Sequence, residues 1–181
     1  MMAFRGSSEP WSPIAIAIMR LGHIIKHTSN GVANMPDWRP KLRSRADGNP
    51  RIMGSLNITP DSFHGQSRYE TVESATMEAI AMADNGADWI DIGGESTRPG
   101  SQAVPPMQEE SRVVPVIQSI RDELPDIGIS IDTRRSTVAS ASLQAGADMI
   151  NDVSSLGDSC MADVIVEYGC PVCLMHMRGL P

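Results

Sequence analysis

From Ile52 to Met175, short apolar runs alternate with amphipathic stretches, and each run leads into a polar residue: Asn57, Asp91, Asp132, Asn151 or His176. That order, β-α-β-α-β-α-β-α-β, requires parallel strands joined by helical crossovers. Interior parallel strands are covered on both faces, so their bodies are expected to be apolar. Polar groups at their carboxyl ends then converge on one rim, where ligands sit in parallel α/β folds. Turn and cap chemistry explains any one such residue. Five together point to a ligand-binding face.

The expected strands are residues 52–56, 88–92, 127–131, 147–151 and 172–175, and the expected helices are 71–85, 107–123, 138–144 and 162–168. Val72, Ala75, Ala79 and Met82 recur at spacings of three and four, as do Val113, Val114, Ile117 and Ile120. Gly86 marks a helix stop. Pro115 is expected to kink or shorten its helix. Asn85-Gly86-Ala87-Asp88-Trp89-Ile90-Asp91 is echoed by Ala145-Gly146-Ala147-Asp148-Met149-Ile150-Asn151. An α/β fold reuses one supersecondary unit in this way without being a solenoid.

Charge divides the chain. Seven of its 15 basic side chains but only three of its 22 acidic ones lie before residue 51, and no lysine follows Lys41. Residues 1–50 therefore read as an irregular N-terminal extension, with one short helix expected around residues 14–25. The net charge of -7 argues against nucleic-acid binding, which needs a basic face. No apolar run approaches the ~20 residues of a membrane-spanning helix. Three cysteines are an odd number and suit a reducing, cytoplasmic setting better than a disulfide framework. Cys170-x-x-Cys173-x-x-His176 offers three soft ligands, but a spacing of three on a strand sends side chains to opposite faces, so core thiols are expected rather than zinc. The 12 methionines are expected as core filler.

The loops supply the next layer. Thr59-Pro60-Asp61-Ser62-Phe63 follows the first strand, and Gly93-Gly94-Glu95-Ser96-Thr97-Arg98-Pro99-Gly100 follows the second. Glycines, hydroxyls and a guanidinium are groups able to hold phosphate oxygens. By itself, such a loop is also an ordinary polar turn.

Taken in order, five segments resemble the N-terminal motifs of the dihydropteroate synthase family of pterin-binding barrels. They are Leu56-Asn57-Ile58-Thr59-Pro60-Asp61-Ser62-Phe63, Asp91 to Gly100, Ser130-Ile131-Asp132-Thr133, Ile150-Asn151-Asp152-Val153 and Leu174-Met175-His176-Met177-Arg178-Gly179. The resemblance covers residues 51–181. It implies a TIM (β/α)8 barrel, of which about five β/α units are present, although such barrels need roughly 250 residues. The family's later Asp, Lys and Arg/His motifs have no counterpart here, and its usual homodimer contacts belong largely to that half. His64-Gly65-Gln66 also replaces the family's usual continuation of the first loop.

The implied reaction joins 6-hydroxymethyl-7,8-dihydropterin diphosphate to 4-aminobenzoate, releasing pyrophosphate. By resemblance, Asp132 and Asn151 bind the pterin ring, Asn57 meets a Mg²⁺–pyrophosphate, and Thr97 and Arg98 cover the diphosphate and the aminobenzoate. Asp91 supports the rim, and Phe63 and Pro99 flank the aromatic amine. The alternatives are a pterin-holding fragment without turnover and a methyltetrahydrofolate-type methyltransferase relative.

Overall fold

The computed structural model describes residues 17–18, 39–58, 68–95 and 103–175. A two-residue strand β1 (Ala17–Ile18) and a helical turn α1 (Arg39–Leu42) come first. Then follow β2 (Met53–Asn57), α2 (Arg68–Asp84), β3 (Trp89–Gly93), α3 (Pro106–Glu123), β4 (Gly128–Asp132), α4 (Ser136–Gln144), β5 (Met149–Asp152), α5 (Met161–Tyr168) and β6 (Val172–Leu174). The sheet order is β1-β6-β5-β4-β3-β2. Strands β2 to β6 are parallel throughout, while β1 joins β6 antiparallel. From β2 to β6, neighbours in the chain are therefore neighbours in the sheet. These are four consecutive β/α units and a fifth strand of a (β/α)8-type barrel, open between β2 and β1 among the described residues.

Period-two alternation assigns the two faces of the sheet. Leu56, Ile90, Ile92, Ile129, Ile131, Ile150 and Val172 turn toward the helices, where they meet Ala75, Ala79, Val113, Val116, Ile117, Ile120, Val138, Ala139, Met161 and Ile165. Full burial of each large side chain contributes about 1.5–3 kcal/mol. The opposite face carries Asp91, Ser130, Asp132 and Asn151 in alternation with this set. The expectation of strands apolar on both faces therefore holds for one face only.

Helix α3 continues past Pro115 to Glu123 rather than ending there. One backbone hydrogen bond is lost, at a cost of about 3 kcal/mol. Burial of Val113, Val116, Ile117 and Ile120 around it offsets that loss. Gly86 and Gly146, the two glycines of the echoed segment, have φ of +96° and +115°, so each stops its helix where a Cβ is strained. Met161 is fully buried, as expected of core filler, but Met77 and Met107 are 61% and 83% exposed. Exposed helix surface tolerates methionine because it is a good helix former.

Two features precede the family-like region. Ala17–Ile18 is a strand where a helix was expected. The run Ile14-Ala15-Ile16-Ala17-Ile18 alternates β-branched residues with alanine, which fits an edge strand better than a helix. Residues 41–51 lie against the amino ends of the strands. Lys41 pairs with Asp148, Arg45 and Arg51 pair with Asp88, and the Trp89 indole donates to the carbonyl of Lys41.

Candidate functional site

The parallel register sets the polar face in rows. Asn57, Gly93, Asp132, Asn151 and Cys173 are successive partners across five strands. One layer deeper lie Ser55, Asp91, Ser130 and Met149. Adjacent strands are about 4.8 Å apart, so the upper row presents an amide, a carboxylate, a second amide and a thiol at nearly fixed spacing. The rim is extended by backbone bonds from Ile58 N to Gly93 O (2.7 Å) and from Thr133 N to Asn151 O (3.1 Å).

The register corrects the strand ends expected from sequence. Asn57 and Asp132 do end their strands. Asp91, however, is the central residue of β3, which continues to Gly93, and Asn151 is followed in β5 by Asp152. Asp91 thus lies beneath the rim. Its Oδ2 accepts from Asn151 Nδ2 at 3.1 Å, which fixes the orientation of that amide. His176, Phe63, Thr97, Arg98 and Pro99 lie outside the described residues.

The electrostatics of the row are unusual. Burial pushes the Asp132 carboxyl up from 3.8 to about 7, and the neighbouring carboxylates of Asp91, Glu109, Asp152 and Glu95 add to the rise. Burial also raises Asp91, opposed by the hydrogen bond from Asn151. Even so, Asp91 Oδ1, Ser130 Oγ and Asn151 Oδ1 are buried without a hydrogen-bond partner among the described residues. Such groups are costly unless a ligand or water satisfies them. Asp132, a carboxyl beside an orphaned amide oxygen, can accept from a ring N–H when ionised and donate when protonated.

Several participants escaped the sequence reading. Glu109 is 1% exposed and projects from α3 among Val113, Val116 and Ile117, so a carboxylate on an apolar stripe was the available signal. Thr133 donates to Glu109 at 2.7 Å, and Arg135 bridges Glu109 and Glu95. Burial would raise Glu95, yet bonds from Arg135, Val104 N and Arg134 hold it below its usual range. Asp152 accepts from Ser154 N, Ser154 Oγ and Leu156 N. These bonds hold Ser155 and Leu156 at φ of +53° and +67° beside the rim. Cys173 joins the row, whereas Cys170 belongs to the helix-facing core, so the two thiols do occupy opposite faces.

Comparison with known proteins identifies the family. Residues 53–181 match the family described as pterin binding enzyme. A probable bifunctional folylpolyglutamate synthase/dihydropteroate synthase of Halobacterium salinarum is 50% identical over 130 residues, which cover 72% of this chain and 16% of that protein. The dihydropteroate synthase of Clostridium beijerinckii is 48% identical over 128 residues, covering 70% of this chain and 47% of its own. The structure of Xanthomonas albilineans dihydropteroate synthase with 4-aminobenzoic acid superposes with a TM-score of 0.66 at 42% identity, over 72% of this chain and 47% of that one. The chain thus spans about half the length of the single-function relatives it matches. By this family match, by identity and by the row of polar groups at its strand ends, the chain belongs to the pterin binding enzymes.

Proposed function

We propose that this chain takes part in dihydropteroate synthesis, the condensation of 6-hydroxymethyl-7,8-dihydropterin diphosphate with 4-aminobenzoate in folate biosynthesis. The observation that carries the reading is the Asp132–Asn151 pair above Asp91: a half-buried carboxyl and an amide oxygen with no partner among the described residues, matched to the donor/acceptor edge of a pterin. Asn151 and Asp132 fix the ring, and Asp91 orients Asn151. Phe63 and Pro99 flank the arylamine, and Thr97 and Arg98 hold the diphosphate. Rate enhancement then rests on alignment of the amine with the pterin methylene carbon and on stabilisation of the departing pyrophosphate.

Mg²⁺ fits the donor set. A Cβ on Gly93 would come within 3.6 Å of Asn57 Oδ1 and 3.7 Å of Asp132 Oδ2, so the glycine leaves a small oxygen-lined recess on the rim. The described residues hold no group of three or more His, Cys, Asp or Glu able to cage a metal. One amide oxygen supplemented by water and substrate phosphate suits Mg²⁺. When bound, the ion neutralises charge on the leaving diphosphate.

A cytoplasmic setting is consistent with three unpaired cysteines. No described helix is long and apolar enough to cross a membrane.

The test separates binding from turnover. The full chain is titrated with 6-hydroxymethylpterin, then incubated with the diphosphate, 4-aminobenzoate and Mg²⁺ while dihydropteroate is followed. Saturable pterin binding that Asp132→Ala removes supports the site. A folded chain that binds no pterin overturns it, and binding without product identifies a pterin-holding unit.

A further inference from the structure

Behind the rim lies a second polar cluster that neither the row nor the proposed chemistry uses. Glu109, fully buried on α3, accepts from the Thr133 hydroxyl through Oε1 at 2.7 Å and from Arg135 Nη1 through Oε2. Arg135 also donates to both Glu95 oxygens, at 2.5 Å and 3.3 Å. Glu95 in turn accepts from Val104 N and from Arg134 Nη2, each at 3.1 Å.

The connectivity of these bonds is informative. Glu95 and Val104 lie on either side of the β3–α3 connection, and one carboxylate ties them together. Arg112 adds an anchor by donating to the carbonyl of Gly94 at 2.8 Å. Gly94 must lack a side chain, because a Cβ there would lie 2.8 Å from Val113 Cγ1 and 3.0 Å from Glu109 Cγ. On the other side, Thr133 directly follows Asp132, donates its N–H to Asn151 O, and accepts the Arg135 N–H at its hydroxyl. One guanidinium therefore joins the segment after β3, helix α3 and the segment after β4. An ion bridge this buried adds little to stability over an apolar replacement, but its planar fork fixes geometry in a way a point charge does not.

We propose that Arg135, with Glu95 and Glu109, is a positioning clamp that holds Asp132, through Thr133, in fixed relation to both ends of the β3–α3 connection. The clamp rests on the pterin reading for its consequence, because Asp132 is the group it places. Its mechanical part is independent of any ligand.

Amide hydrogen exchange at Val104 and the affinity for 6-hydroxymethylpterin are measured in the full chain, in Arg135→Met and Arg135→Lys, and in Ile165→Ala. The last is a buried substitution on α5 away from the cluster, used as a control for lost stability. Arg135→Met is expected to accelerate Val104 exchange and to weaken pterin binding about tenfold, with Arg135→Lys between it and the parent. Ile165→Ala should alter neither beyond its effect on global unfolding. The clamp is overturned if Arg135→Met behaves like Ile165→Ala, or if Val104 exchanges faster while affinity is unchanged. Faster Val104 exchange in Arg135→Met, in a parent chain that binds no pterin, keeps the clamp and removes the pterin reading instead.

Discussion

Asp88 and Asp148 do the same work at the amino ends of two different strands. Asp88 accepts from Ile52 N at 2.8 Å while paired with Arg45 and Arg51; Asp148 accepts from Ile129 N at 2.9 Å while paired with Lys41 and Arg121. In both cases the carboxylate caps the start of the preceding strand and joins it to cations, some of them from residues 41–51. The sequence echo around Gly86 and Gly146 thus has a physical cause.

Exchanging either carboxylate for an amide keeps one acceptor oxygen but removes the negative charge that its cations face. Asp148→Asn is expected to cost about 2–4 kcal/mol, because its side chain is only 9% exposed. Asp88→Asn should cost less, about 1–2 kcal/mol. Equilibrium urea unfolding measures both. The Arg45 bond holds the Asp88 carboxyl below its usual range. Its contribution is therefore complete above the unfolded pKa and is lost as pH falls through the lower folded value.

Asp132 acts in the opposite sense. Its folded carboxyl, at about 7, holds its proton more tightly than the unfolded one at 3.8. Stability from this group is full below 3.8 and is lost as pH rises through 7. Asp132→Asn should stabilise the chain at pH ~8 by on the order of 2–4 kcal/mol and change little near pH ~4. Unfolding midpoints that move in parallel across this range would sink the prediction.

Glycines in the sheet differ sharply in tolerance. A Cβ on Gly128 would lie 2.3 Å from the Trp89 ring, so Gly128→Ala must displace an indole anchored to Lys41 O. A loss of about 2–4 kcal/mol is expected. Gly54→Ala meets only the sulfur of the flexible Met82 side chain, at 2.6 Å, and should cost under about 1.5 kcal/mol. Thermal unfolding of the two variants distinguishes these outcomes.

The thiols predict a labelling pattern. Cys160 is exposed, Cys170 is pushed up to about 12 by burial, and Cys173 is raised by burial and by the carboxylates of Asp91 and Asp132. Iodoacetamide at pH ~8 should modify one cysteine in the folded chain and three in urea, as read by mass spectrometry. Fast labelling of Cys173 in the folded state would contradict its place in the row.

Much of this was legible in the residues themselves. Ile90, Ile92, Ile129 and Ile131 announce strands, and Gly86 and Gly146 announce helix stops. Asp132 and Asn151 stand at their strand ends within one residue of expectation. Asp91 was placed too high, because a polar residue inside a parallel strand conflicts with the usual apolar body, and only register reveals that one face is polar. The Glu95–Arg135–Glu109 bridge joins residues 40 and 26 positions apart. No local pattern encodes such pairing. The strand at Ala17–Ile18 was hidden because its partner, β6, lies at the far end of the chain.

The row from Asn57 to Cys173 exists only when four separate parallel pairings have formed. No single β/α unit carries a usable fragment of it, since each strand supplies one group and the spacing comes from the sheet. A ligand held by the row therefore binds the assembled sheet and not the unfolded chain, adding RT ln(1 + [L]/Kd) to its stability. Recognition and sheet assembly are in this way one equilibrium, in which the small molecule counts the strands.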